Sequence, residues 1–98
     1  MLLGIVATND STEDHLAGLA SAARERGWQC NCFLTDLGVR LLRSPRLLEL
    51  ASSGAINLAV CEHSWKIFGS GDAPCGVVMA SQYKNAELAH LCDKVIVL

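Results

Sequence analysis

Charge is scarce in this 98-residue chain: Asp, Glu, Lys and Arg together make up 18% of it, against ~25% in ordinary soluble domains. Apolar residues make up 51%, so there is more apolar surface than charge to cover it, and the excess predicts homo-oligomerisation. The eight basic residues form no stripe and the net charge is −2, which excludes the footprint of nucleic-acid or anionic-membrane binding. Arg40, Arg43 and Arg46 are the one local basic cluster. Long apolar runs are missing too. Nothing approaches ~18 consecutive apolar residues, so no transmembrane helix is expected. The opening Met1-Leu2-Leu3-Gly4-Ile5-Val6-Ala7 has no basic leader and meets Asn9-Asp10 too early for a signal peptide. The expectation is a soluble, cytoplasmic protein of one domain, residues 1–98, with no membrane partner.

Several catalytic signatures are absent. No Gly-rich phosphate loop follows the first apolar run, where Thr8-Asn9-Asp10 would instead place a carboxylate beside any phosphate. No nucleophile elbow of a Ser/His/Asp hydrolase occurs. Cys61-x-His63, Cys75 and His90-x-Cys92 supply zinc-ligand types. They are spread over separate elements rather than paired in C-x₂₋₄-C knuckles, so no metal is expected.

Cysteine, by contrast, is plentiful. Five cysteines in an unsecreted domain point to free or reactive thiols rather than a disulfide framework, and the odd number leaves at least one unpaired within the chain.

The local pattern reads as alternating strands and helices. Residues 2–7 form an apolar run with β-branched members and no helical period, a strand buried on both faces. Asp10 or Ser11 then caps a helix with Glu13 or Asp14 in capping-box spacing, Leu16, Leu19, Ala20 and Ala23 share a face, and Gly27 stops it. Residues 28–34 read as a second strand, which puts Cys30 and Cys32 on one face as two small core residues, with a bond between them disfavoured. Asp36 caps a short helical turn, Ser44-Pro45 restarts the helix with a cap and an N1 proline, and Ser53-Gly54 ends it. Residues 55–61 form the third strand. A short helix over 64–68 and the loop Gly69-Ser70-Gly71-Asp72-Ala73-Pro74 follow, then an edge strand over 77–80, a helix over 85–92 and a closing strand over 94–98. This is the pattern of a parallel α/β sheet of four to five strands.

The sharpest chemical signal is the end of the third strand, Val60-Cys61-Glu62-His63-Ser64-Trp65-Lys66. A thiol reacts as thiolate, and its pKa falls at a helix start or beside a cation such as His63 or Lys66. With the second and third strands on opposite sides of the first, Thr8-Asn9-Asp10 and Cys61-Glu62-His63-Ser64 would line one crevice at a topological switch point. Cys75, beyond the Gly/Pro loop, reads first as a packing residue; its functional alternative is to resolve an oxidised Cys61 as a disulfide. His15 and His90 read as surface residues, and Trp65 and Phe68 as apolar walls or an oligomer contact.

Phe33-Leu34-Thr35-Asp36-Leu37-Gly38-Val39-Arg40-Leu41-Leu42, with the opening strand and the Val60-Cys61 strand end, resembles the DsrE/DsrF-like family of small sulfur-relay proteins, and the likeness runs over most of the chain. It implies a flavodoxin-like (Rossmann-like) three-layer α/β sandwich with a mainly parallel sheet, assembled as a homotrimer, a hexamer or a mixed complex. In the active branch a cysteine after the third strand, here Cys61, carries sulfur as a persulfide between donor and acceptor proteins. No cofactor is implied. His63 or Lys66 would stabilise the thiolate, with backbone N–H groups of the Ser64 helix, while Glu62 is expected to face solvent or a partner. Two readings follow: a protein that carries or senses sulfur through Cys61, as a carrier or sulfurtransferase component, or a non-catalytic oligomeric or small-ligand-binding protein in which Cys61 only packs.

Overall fold

In the computed structural model, which describes residues 1–74 and 77–98, five strands alternate with helices. They are β1 (Leu2–Ala7), α1 (Glu13–Glu25), β2 (Gln29–Leu34), a 3-10 helix (Asp36–Arg43), α2 (Pro45–Ser52), β3 (Asn57–Cys61), α3 (Glu62–Phe68), β4 (Val78–Ala80), α4 (Gln82–Leu91) and β5 (Lys94–Val97). All pairings are parallel and the strand order is β4-β3-β2-β1-β5. The expected α/β class and parallel sheet are therefore present.

The expected order is not. β2 and β3 lie on the same side of β1, and the reversal comes only after β4, when the chain returns to place β5 on the far side of β1. Right-handed crossovers make this order decide the layers. Three successive steps in one direction put α1, α2 and α3 on one face; the single return puts α4 alone on the other.

The cores follow that division. Leu3, Ile5, Cys30, Cys32, Leu34, Leu58 and Val60 pack under α1, α2 and the 3-10 helix, and Val6, Phe33, Ala59 and Cys61 meet Leu88 of α4. Five strands at ~4.8 Å spacing span about 19 Å, twice the ~10 Å width of a helix. α4 lies over β1 and β2, so the sheet edges on its face stay uncovered. Val78 pairs in register with Ala59, and Val97 with Val6. Register partners point the same way, so these exposed valines flank α4.

Local signals explain the boundaries. Gly27, at φ 73°, closes α1 in a Schellman arrangement, with Trp28 N–H on Ala23 O and Gly27 N–H on Arg24 O. Ser44 caps α2 through Leu47 N–H, worth about 1 kcal/mol, with Pro45 beside it, and its hydroxyl also donates to the Glu13 carboxylate.

Four expectations are corrected. Thr12, not Asp10 or Ser11, precedes α1 and makes no side-chain cap; the Asn9 carboxamide oxygen instead accepts from the N–H and hydroxyl of Ser11. Asp36 does not cap the 3-10 helix but begins it, at φ 51°. The short helix expected over 64–68 starts earlier: α3 begins at Glu62, directly after the strand, and Cys61 is its N-cap residue. α4 begins at Gln82 behind a Ser81 cap to Tyr83 N–H, and of its apolar residues only Leu88 is buried.

Candidate functional site

Cys61 ends β3 on the α4 face of the sheet, and the chain turns straight into α3. It is 3% exposed but lines the floor of a 270 Å³ cavity with Glu62, His63, Lys66, Ser81 and Gln82. The cavity lies beyond the carboxyl ends of β3 and β4, the end of a parallel sheet where ligands bind.

Donors surround the sulfur. Gln82, first residue of α4, places Nε2 3.5 Å from Cys61 Sγ and 2.9 Å from Thr35 Oγ1. Thr35 Oγ1 is 3.4 Å from Ser64 Oγ, which accepts the Asp36 N–H at 3.0 Å. A hydroxyl has one proton to give. With Asp36 N–H and the Thr35 hydroxyl donating to Ser64 Oγ, the Ser64 hydroxyl is left to donate to sulfur, and the two Gln82 protons serve Thr35 and Cys61. Burial pushes the Cys61 thiol pKa up, but the Ser64 hydroxyl and N–H, the Gln82 amide and the His63 N–H together outweigh it and hold the thiol below its ordinary value.

The Thr35-Asp36 corner is itself pinned. Thr35 N–H donates to Ala7 O at 3.0 Å, and the 3-10 helix presses so closely on the end of β1 that a Cβ on Gly38 would lie 2.1 Å from the same oxygen. The left-handed Asp36 turns its N–H toward Ser64. The positions that carry the family resemblance thus hold the donor network together.

The expected site residues fare differently. Cys61, Ser64 and His63 come together, His63 through its backbone N–H while its side chain is exposed. Lys66 pairs with Glu62 at 3.8 Å in solvent, so it is not the cation that holds the thiolate, and Glu62 faces outward as expected. Thr8-Asn9-Asp10 is not at the site, because β2 stands between β1 and β3. Thr8 donates to Leu98 O through N–H and hydroxyl, and Asp10 lies 3.8 Å from Arg40. Cys75 lies outside the described residues. Trp65 and Phe68 pack on the α1 side core as apolar walls, and His15 and His90 are exposed. Among the described residues no group of three or more His, Cys, Asp or Glu side chains is placed to hold a metal.

Thr35 and Gln82 were not anticipated. Thr35 stood within the motif that carries the resemblance; Gln82, 21 residues from Cys61 in sequence, gave no local signal. Gln82→Ala should slow Cys61 alkylation severalfold at neutral pH and move its pH midpoint upward, because a donor to the thiolate is lost. Iodoacetamide labelling read by peptide mass spectrometry checks this, and an unchanged rate would remove Gln82 from the site.

No family model matches the chain, and no curated protein matches it. Among solved structures, the crystal structure of the YchN protein from E. coli is similar over 99% of this chain and 97% of that one, with a TM-score of 0.77 at 12% identity. YchN is a DsrE/DsrF-like fold protein, and this chain has that fold.

Proposed function

From a chain with the DsrE/DsrF-like fold, we propose a small sulfur-relay protein of that family that carries sulfur as a persulfide on Cys61. The observation that supports this best is the convergence of Gln82, Ser64 and the His63 N–H on one strand-end sulfur. The Cys61 thiolate attacks the terminal sulfur of a donor persulfide, the donor's S–S bond breaks, and the donor leaves as thiolate, giving Cys61–S–SH. An acceptor thiolate then attacks that terminal sulfur and releases the Cys61 thiolate. Neither step changes the number of S–S bonds or needs a cofactor. The partners implied are a donor protein and an acceptor protein in the cytoplasm, where thiols are kept reduced; the four described cysteines are free. Among the described residues no helix is long and apolar enough to cross a membrane.

The uncovered edges of the α4 face support a trimer or hexamer. Val78 and Val97 are 57% and 67% exposed, and Tyr83 and Leu91 of α4 lie between those edges, also exposed. Light scattering at high concentration should return a multiple of the chain mass, and a monomer would contradict this.

The carrier reading is tested by incubating the protein with a small-molecule persulfide donor and mapping the adduct. A gain of one sulfur, about 32 Da, is expected on the Cys61 peptide by thiol exchange; sulfur on other cysteines with Cys61 unloaded would overturn it. A second reading, a non-catalytic small-ligand-binding protein, is favoured by a 310 Å³ cavity under α4 lined by Phe33, Ala59, Val78, Leu88 and Leu91, with Asn31 and Asn57 joined at 2.8 Å within it. That reading predicts an unloaded Cys61.

A further inference from the structure

The face of the sheet opposite Cys61 holds a groove that the sulfur chemistry does not use. Lys94 and Ile96 of β5 pair in register with Leu3 and Ile5, so all four point to the α1 side, where Leu3 and Ile5 belong to the core. α1 itself lies over β1 and β2. β5 is therefore left beside the helix rather than beneath it, and the gap between them is a cavity of 500 Å³.

Its walls are apolar, with Leu3, Leu19, Ala23, Trp28 and Ile96 among them. Two cations share the lining, Arg26 from the C-terminal end of α1 and Lys94 from the start of β5, and no acidic side chain does. Arg26 is held in place, its guanidinium carbon 5.4 Å from the centroid of the Trp28 ring. Among the described residues neither cation makes an ion pair. Asp93, beside Lys94 in the chain, instead accepts the Leu2 N–H at 2.7 Å. Small-molecule sites typically enclose about 300–1,000 Å³ and are mostly apolar, with a few polar groups that orient the ligand. Here the polar groups are both positive, which sets the sign of the ligand's head.

We propose that this groove binds a single-chain aliphatic carboxylate, its tail between α1 and β5 and its carboxylate between Arg26 and Lys94. Because the groove and Cys61 lie on opposite faces of the sheet, its occupancy is independent of the sulfur reading.

The test is a titration of the ¹⁵N-labelled full chain with hexanoate, octanoate and decanoate below their micelle concentrations, following both indole N–H resonances. Trp28 lines the groove and should move saturably; Trp65, on α3, should not. Affinity should rise with chain length, by up to about fourfold for each methylene that the groove buries. Decanol should bind severalfold more weakly than decanoate, and decyltrimethylammonium should not bind. Arg26→Gln and Lys94→Gln should each weaken decanoate severalfold. Ala22→Glu should abolish binding, because Ala22 is an exposed residue of the same groove and a glutamate there pairs with Arg26 one turn on. A Trp28 resonance that does not move, affinity independent of tail length, or equal binding of all three decyl head groups overturns the site. So does a Trp28 shift that follows protein concentration alone, which would give the groove to a second copy of the chain. The head-group and tail series use the unmutated protein and decide even if a variant fails to fold.

Discussion

Cys61→Ser is expected to abolish sulfur loading while leaving the fold intact. The substitution changes one atom at the end of β3. The new hydroxyl meets the same Gln82 amide and Ser64 hydroxyl that surround the sulfur, so no polar group is left unsatisfied and the change in stability should stay within ~1 kcal/mol. Chemistry is lost because a serine hydroxyl does not ionise near neutral pH and cannot take a terminal sulfur by thiol exchange. The described remaining thiols are poor substitutes. Cys30 and Cys32 are sealed in the α1 side core, and burial, with the nearby Cys30 and Asp93, raises the Cys92 pKa. Intact-mass spectrometry after persulfide treatment checks the result. Wild-type loading in Cys61→Ser would show that the carrier is another cysteine.

Gly38→Ala should be the most damaging single-methyl change in the chain. Its Cβ would lie 2.1 Å from Ala7 O, 2.7 Å from Ala7 C and 3.2 Å from Thr8 N, all backbone atoms of the β1 end. No rotamer relieves a clash with backbone, so the 3-10 helix must move off β1. That strains the Thr35 N–H bond to Ala7 O and carries Thr35 and Asp36 away from Ser64. Overpacking of this kind costs ~1–3 kcal/mol, and at ~4–8 °C per kcal/mol for a domain of this size the Tm drop is readily measured. Gly18→Ala is the control. A Cβ there meets nothing within 4 Å, and Ala favours a helix over Gly by up to ~1 kcal/mol, so its Tm should rise. Calorimetry of both variants checks the pair. Equal Tm values would mean that the Gly38 contact is not what holds the corner. Gly38→Ala should also lower Cys61 reactivity at temperatures where it is still folded, because the network begins at that corner.

These two residues show how much was legible in the sequence. The apolar runs at 2–7 and 55–61, the Gly27 stop and the Ser44-Pro45 restart each act within one or two turns of chain, and each appears in the structure, the second run as the shorter strand Asn57–Cys61. Cys61 was legible for the same reason: strand, thiol and helix start are contiguous. Strand order was not. Whether β3 joins the sheet beside β1 or beyond β2 depends on which edge is open when it docks, and no local residue pattern records that. The misplaced order is why Thr8-Asn9-Asp10 was assigned to a crevice that Thr35-Asp36 shares instead. The start of α4 was hidden because Gln82, Tyr83 and Lys84 give no apolar period, although Ser81 was there to cap it. Gln82 was missed with it. Asp36 looked like a helix cap because Asp commonly is one; its left-handed φ, and the N–H it turns to Ser64, follow from tertiary packing.

The central claim is that a nearly buried strand-end thiol is kept reactive by the donors around it. Its most direct test is the pH dependence of alkylation at each cysteine of the native protein, resolved by peptide mass spectrometry. The claim predicts that Cys61 reacts fastest among Cys30, Cys32, Cys61 and Cys92, with a midpoint below that of an unperturbed thiol and with Cys92 titrating above it. A Cys61 midpoint at or above the unperturbed value, or a neutral-pH rate as slow as that of Cys30 and Cys32, would contradict it.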